Sequence, residues 1–137
     1  MENVFVDTDV ILDLLAKRQP YYEAAAILFS LADKGKIRIG VSSLSFSNLH
    51  CILSRTYSSF ESRRLLNRFK VLVKVLAVND KIVELALTSR FADFEDAIQY
   101  YTAIENNYSM LLTRNIKDYK HAEIVIMSSE DFTKGRG

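Results

Sequence analysis

Acidic side chains stand where short apolar runs of the chain end. Asp7 and Asp9 follow one such run, Asp118 comes shortly after another, and Asp93 and Asp96 lie between them in the sequence. Carboxylates that are brought together repel one another, and protonation or a divalent cation relieves the repulsion. Oxygen ligands without His or Cys suit Mg²⁺ or Mn²⁺ rather than zinc. A hard cation held by acids activates water and offsets charge on a phosphodiester, so this set predicts nucleolytic hydrolysis.

Five short runs of the β type predict the strands that position these acids, and they cover residues 4–6, 37–41, 73–78, 110–112 and 124–127. Segments with the helical spacing of apolar residues lie between the runs. Strands that alternate with helices predict parallel pairing, because parallel strands need a crossover connection. We therefore expect an α/β protein with three α/β/α layers and a five-stranded parallel sheet. If the first and fourth strands are neighbours, the acids meet at one edge of that sheet.

The composition fits one compact domain over residues 1–137, with a frayed tail at 134–137. Only 4 glycines and 1 proline occur, which argues against an all-β fold that needs frequent turns. A net charge of +1 gives no overall attraction to polyanions, so a nucleic acid must be held by a local patch or through metal ions.

The sequence also bears on location and association. The amino terminus has neither a signal-peptide pattern nor a membrane-spanning run, and the single cysteine, Cys51, cannot form an internal disulfide. We expect a cytoplasmic protein without a membrane partner, in which Cys51 is a buried small hydrophobe. The 7 tyrosines and 8 phenylalanines suggest apolar surface that another chain covers. That chain is expected to be a second copy, docked through the N-terminal helices, or a segment of a partner protein.

Three segments together resemble PIN-domain proteins: Phe5–Leu15, which begins within the first strand, Asp93–Gln99 at a helix start, and Thr113–Tyr119 after the fourth strand. They occur in the family's order and spacing, and the resemblance covers nearly the whole chain. It implies a divalent-metal-dependent endoribonuclease that cleaves single-stranded or structured RNA with Mg²⁺ or Mn²⁺. Many small bacterial members are VapC-type toxins, so the resemblance also implies an antitoxin protein as a partner.

The resemblance assigns roles to particular residues of this chain. Asp7, Asp96 and Asp118 are the implied catalytic residues and metal ligands. Family members commonly place a glutamate in the helix after the second strand, where this chain has Asn48. An amide oxygen ligates or orients water but brings no charge, so weakened or lost activity is an open alternative. The implied supporting residues are Asp9, Asn48, Asp93, Thr113 and Asn115, of which Thr113 matches a hydroxyl that hydrogen-bonds within the acid cluster.

Single residues of this set also have structural interpretations. Asp7, Asp93 and Asn115 stand where helix caps and Asx turns are common, and only their convergence favours a site. Asp13 is expected to be an exposed helical acid near a lysine. Glu95 is expected to be a first-turn carboxylate that complements the helix dipole. Neither Asp13 nor Glu95 is therefore placed in the site.

The sequence also suggests two arginines that contact RNA, and it leaves two alternatives to the metal-dependent ribonuclease. Arg55 and Arg114 are the candidate RNA contacts, because they lie nearest the acids in the sequence pattern. A catalytically weak or inactive PIN-like module that binds RNA or protein is the alternative function. A haloacid-dehalogenase-type phosphatase ranks third, since Lys117 and Asp118 match its downstream residues poorly.

Overall fold

Five parallel strands form one sheet in a computed structural model that describes residues 1–137. The strands lie side by side in the order β3-β2-β1-β4-β5, and every neighbouring pair is parallel. The predicted α/β/α class with a five-stranded parallel sheet is confirmed. The strands are β1 (Glu2–Val6), β2 (Ile37–Ser42), β3 (Lys74–Leu76), β4 (Met110–Leu112) and β5 (Val125–Met127).

Seven α-helices and one short 3₁₀ helix (Ile116–Tyr119) connect the strands. None of the helices combines the length and the apolar character that crossing a membrane would require. The α-helices are α1 (Thr8–Leu15), α2 (Tyr22–Asp33), α3 (Ser43–Thr56), α4 (Ser59–Lys70), α5 (Asp80–Leu87), α6 (Phe94–Glu105) and α7 (Ser129–Thr133).

Helices cover both faces of the sheet, which explains why the buried end of β1, residues 4–6, is an uninterrupted apolar run. Val4 and Val6 point to one face and pack into the larger core with residues of α1 to α4. Phe5 points to the other face and packs into a second core with Tyr100 of α6. Successive side chains of a strand alternate between faces, so a strand with both faces buried needs no polar residue.

The order of the strands brings the two acidic loops together. β1 lies between β2 and β4, and Val6 is paired with Leu112 at the ends of their strands. The backbone N–H of Asp7 then donates to the carbonyl of Leu112 at 2.9 Å. β2 and β3 lie on one side of β1, and β4 and β5 lie on the other side. The loops after β1 and β4 therefore flank the position where such sheets bind ligands.

Two sequence-based predictions of burial are wrong. Asp13 is fully buried rather than exposed, and its Oδ2 lies 3.2 Å from Nε of Arg114. The spacing within α1 could not reveal this partner, because Arg114 is remote in sequence and arrives with the loop after β4. Cys51 is exposed rather than buried. α3 presents Leu49 and Leu53 to the core, so Cys51, placed between them, lies on its outer face.

The last residues of the chain follow α7. The guanidinium of Arg136 forms an ion pair with Glu2 and lies 4.1 Å from the centroid of the Phe132 ring. These contacts join the tail to the first strand and to α7. Fraying over residues 134–137 stays a prediction.

Candidate active site

A polar cleft opens at the carboxyl edge of the sheet, with a volume of about 280 Å³. The three predicted catalytic carboxylates all line it, and so do four of the five predicted supporting residues. The fifth, Thr113, is buried and contacts Asp7 from below the cleft surface. The lining carboxylates and amides are Asp7, Asp9, Asp93, Glu95, Asp96, Asp118, Asn48, Gln99 and Asn115.

Asp7 is held by four hydrogen bonds at the end of β1, where it also caps α1. Its Oδ1 accepts from the backbone N–H of Thr8 at 2.8 Å and from Nε2 of Gln99 at 3.1 Å. Its Oδ2 accepts from the hydroxyls of Thr113 at 2.9 Å and Tyr119 at 3.0 Å. Asp7 thus caps α1, as one interpretation of the sequence expected, and it also lines the cleft with its carboxylate held in one orientation.

Gln99 and Tyr119 position Asp7, although the sequence analysis gave neither a role. Gln99 lies three residues after Asp96, on the same face of α6, and that spacing was the signal that could have found it. Tyr119 is almost completely buried, and burial and the charge of Asp7 raise the pKa of its hydroxyl far above the usual range. The hydroxyl therefore stays protonated and remains a donor to Asp7.

Asp9 lies in the first turn of α1, where it lines the cleft and is held by the loop after β4. Its Oδ2 accepts from the backbone N–H of Arg114 at 3.2 Å, from Nδ2 of Asn115 at 3.3 Å and from the Thr113 hydroxyl at 3.4 Å. Its Oδ1 is buried and has no hydrogen-bond partner. Burial, followed by the nearby charge of Asp7, raises the pKa of Asp9 to about 7.

Asp96 occupies the first turn of α6, which begins where Asp93 accepts from its backbone N–H at 3.0 Å. Partial burial is the largest cause that raises the pKa of Asp96, to about 7. The negative charges of Asp7, Asp93 and Asp118 act in the same direction. The cleft is therefore a region of strongly negative potential that favours a proton or a cation.

The chemistry of these donors fits a hard divalent cation, although their present arrangement does not gather them around one point. No group of three His, Cys, Asp or Glu side chains is set closely enough to hold a metal ion as it stands. All charged donors in the cleft are carboxylates, and one of their oxygens, Oδ1 of Asp9, is buried without a partner. A cation would supply that partner and offset the mutual repulsion, and oxygen donors suit Mg²⁺ or Mn²⁺.

Neither of the two candidate RNA-contacting arginines lines the cleft. The guanidinium of Arg114 is engaged by the buried Asp13 and lies 4.2 Å from the centroid of the Tyr21 ring. Arg55 lies in the last turn of α3 on the protein surface, 4.0 Å from Sγ of the exposed Cys51. Arg114 thus anchors the loop after β4 onto α1 and α2, whereas Arg55 has a free surface position.

A family model described as the PIN domain matches residues 3–117, which include every carboxylate of the cleft except Asp118. The chain belongs to the PIN-domain family. Membership confirms the resemblance and favours the PIN interpretation of Asp7 over the phosphatase interpretation. No curated protein matches the chain.

Solved structures with a similar fold support the assignment. VapBC2 from Rickettsia felis, bound to a fragment of its promoter DNA, gives a TM-score of 0.69 at 20% identity over 92% of this PIN-domain chain and 97% of that chain. FitAcB from Neisseria gonorrhoeae gives 0.69 at 17% identity over 92% and 97%. VapC20 from Mycobacterium tuberculosis, a toxin that cleaves the sarcin-ricin loop, gives 0.62 at 17% identity over 79% and 86%. At these identities the likeness shows the fold.

Proposed function

We propose that this PIN-domain protein is a divalent-metal-dependent endoribonuclease that acts as the toxin of a toxin–antitoxin pair. The observation that carries the proposal is the convergence of Asp7, Asp96 and Asp118 in one cleft at the carboxyl edge of the sheet. The raised pKa of Asp96, to which both other carboxylates contribute, supports their closeness. Perturbed carboxylates in a cleft are typical of functional sites.

The three carboxylates would hold Mg²⁺ or Mn²⁺, with Asp9, Asn48, Asp93, Thr113 and Asn115 in support. The ion would supply Lewis acidity toward the phosphodiester and a more acidic bound water. The protein's own part is orientation. Thr113, Tyr119 and Gln99 donate to Asp7 and hold its carboxylate in one position, so little rearrangement of this ligand is needed when an ion binds.

RNA is proposed as the substrate on the basis of the family and of the cleft's charge. A cleft lined by acids repels a phosphate backbone, so RNA must approach through the metal ion and through basic groups at the rim. Arg55 remains a candidate contact because its guanidinium has no carboxylate partner. Arg114 would need to leave Asp13, which makes it the weaker of the two candidates.

The proposed protein partner is an antitoxin, and a second copy of the chain is proposed as well. Several structures with this fold are toxin–antitoxin complexes, one of them from Klebsiella pneumoniae. An apolar groove between α1, α2 and α4 offers a surface for a protein, and its lining includes Leu14, Leu15, Phe29, Leu65 and Phe69. This groove includes the N-terminal helices through which we propose the homodimer forms. A cytoplasmic location is proposed with it, since the single cysteine needs no oxidising compartment.

The test is cleavage of a fluorogenic single-stranded RNA and of a structured RNA by the purified chain. Cleavage is expected with Mg²⁺ or Mn²⁺, and EDTA or the Asp96→Asn substitution is expected to abolish it. Equal cleavage by the wild-type chain and the Asp96→Asn variant would refute the assignment of the site.

A catalytically inactive module that binds RNA or protein is the second candidate, and Asn48 is the observation that favours it. Asn48 lines the cleft where family members commonly carry a glutamate, and it adds no charge there. Under this function the wild-type chain would bind RNA without cleaving it at any concentration of Mn²⁺. The cleavage assay and a filter-binding assay on the same RNA separate the two functions.

A further inference from the structure

The cleft contains a carboxylate to which the family resemblance gives no role. Glu95 is exposed in the first turn of α6 and lines the same cavity as Asp7, Asp96 and Asp118. Its Oε2 accepts a long hydrogen bond, 3.5 Å, from Nδ2 of Asn48. The charged residue thus lies directly opposite the position at which this chain lacks one.

Two contacts between α3 and α6, one helical turn apart, bring these residues together. The inner contact joins Ser45 of α3 to Gln99 of α6, with 2.9 Å between Oγ and Nε2. The outer contact joins Asn48 to Glu95. Residues three or four apart share a face of a helix, so Asn48 lies above Ser45 and Glu95 lies above Gln99. Since Gln99 also bonds Asp7, the outer contact is directed along the same face toward the cleft.

The two side chains of the outer contact complement each other chemically. An asparagine amide donates a hydrogen bond and a carboxylate accepts it, whereas two carboxylates at these positions would repel each other. The helix dipole alone does not explain Glu95, because Asp93 and Asp96 already place negative charge at the same helix terminus. The contact with Asn48 is additional to that effect.

We propose that Glu95 is a metal-binding carboxylate of this site and replaces the charge that relatives carry at the position of Asn48. Asn48 is then a positioning residue, whose amide holds Glu95 toward the cleft. This inference rests on the proposed function, because it assumes that the cleft binds a divalent ion. It restores a fourth carboxylate to the ligand set, and the number of charged ligands governs the affinity of oxygen-rich cation sites.

The experiment measures Mn²⁺ binding to the full-length chain by isothermal titration calorimetry, without RNA. The Glu95→Gln substitution is expected to raise the Kd for Mn²⁺ about tenfold, which is the lower end of the loss of metal affinity when a residue that supports a metal site is replaced. The double variant Asn48→Glu, Glu95→Gln carries the carboxylate on α3 instead of α6. Its Kd for Mn²⁺ is expected to lie within about threefold of the wild-type value. Both positions are at the surface of the cleft, and circular dichroism checks that each variant is folded.

Glu84→Gln is the matched control. Glu84 is an exposed residue of α5 outside the cleft, and its replacement removes the same charge. An equal change in Kd for Glu95→Gln and Glu84→Gln would overturn the proposal, and so would a double variant as weak as Glu95→Gln alone. Absence of Mn²⁺ binding by the wild-type chain is a different outcome, since it refutes the metal-dependent function itself.

Discussion

Replacing Asp7 by asparagine is expected to destabilise the metal-free fold. The substitution removes the charge and turns one of two acceptor oxygens into a donor. With the amide nitrogen toward Thr8 and Gln99, two N–H donors lose their acceptor. With it toward Thr113 and Tyr119, the two hydroxyls must reverse to become acceptors, and the buried hydroxyl hydrogen of Tyr119 has no remaining partner. Neither orientation of the amide keeps all four hydrogen bonds.

The size of the effect follows from the change in hydrogen-bond type. Bonds to a charged group contribute about 1.5–3 kcal/mol and neutral ones about 0.5–1.5 kcal/mol. Two bonds that become neutral therefore lose about 1 kcal/mol each and two that are lost cost at least about 1.5 kcal/mol each, which amounts to about 5 kcal/mol. Relief of the repulsion with Asp9 and Asp96 offsets part of this loss. We expect the free energy of unfolding to fall by about 2–3 kcal/mol. For a chain of this size the midpoint of thermal unfolding should fall by about 10 °C.

Urea unfolding at pH 8 with EDTA, followed by circular dichroism, measures this change, and Asp96→Asn is the matched comparison. Asp96 is only partly buried, and its carboxylate accepts none of the side-chain hydrogen bonds that hold Asp7. Its replacement removes repulsion and should leave the stability unchanged or raise it by up to about 1 kcal/mol after solvent screening. If Asp7→Asn proves as stable as Asp96→Asn, the hydrogen bonds to Asp7 do not support the fold and the reasoning is wrong.

Three further predictions concern pH, a buried ion pair and association. The pKa of Asp9 and of Asp96 is about 7 in the folded chain against 3.8 for the free side chain. Between these two pH values the folded state binds more protons than the unfolded state. The free energy of unfolding of the metal-free chain should therefore fall as the pH rises from about 4 to about 7. Urea unfolding across this pH range should show the fall in the free energy of unfolding with EDTA and a smaller fall with Mn²⁺. A free energy of unfolding that rises with pH in EDTA would contradict the raised pKa values of Asp9 and Asp96. Arg114→Ala removes the stronger of the two arginine charges that act on the buried Asp13, the other being Arg18, and should cost about 3 kcal/mol in urea unfolding at pH 8. Arg55→Ala, a surface control, should cost less than about 0.5 kcal/mol. Sedimentation equilibrium should show a homodimer that Leu14→Asp dissociates, and a wild-type monomer at high concentration would exclude it.

The sheet and the meeting of the acids could be predicted because both follow from local patterns. Apolar runs marked the strands, and polar residues directly after β1 and β4 had to share an edge once those strands were neighbours. The strand β3 is shorter than its apolar run, because only residues 74–76 pair with β2.

The hydrogen bonds that distinguish one acid from another could not be predicted in the same way. Tyr119 and Asp7 are 112 residues apart, and no periodicity within one element reveals such a contact. The burial of Asp13 depends in the same way on Arg114, which reaches it from the loop after β4. From the sequence, Asp7 and Asp96 are equivalent carboxylates that repel each other. In the structure, hydrogen-bond donors stabilise the carboxylate of Asp7, whereas Asp96 is partly buried among other negative charges.

Two hydrogen-bond donors to Asp7 lie far along the sequence from it, so a chain growing on the ribosome exposes Asp7 long before these donors are synthesised. Both donors to its Oδ2, Thr113 and Tyr119, belong to the last quarter of the sequence, as does the backbone N–H of Arg114 that binds Asp9. A nascent chain that has emerged only as far as α6 already contains Asp7 and Asp96 but has neither β4 to extend the sheet nor the hydroxyls to orient the first carboxylate. Contacts between such distant residues form late in folding. The carboxylates that line the cleft therefore reach their final arrangement only after residues 110–119 have been synthesised and have packed against the end of β1.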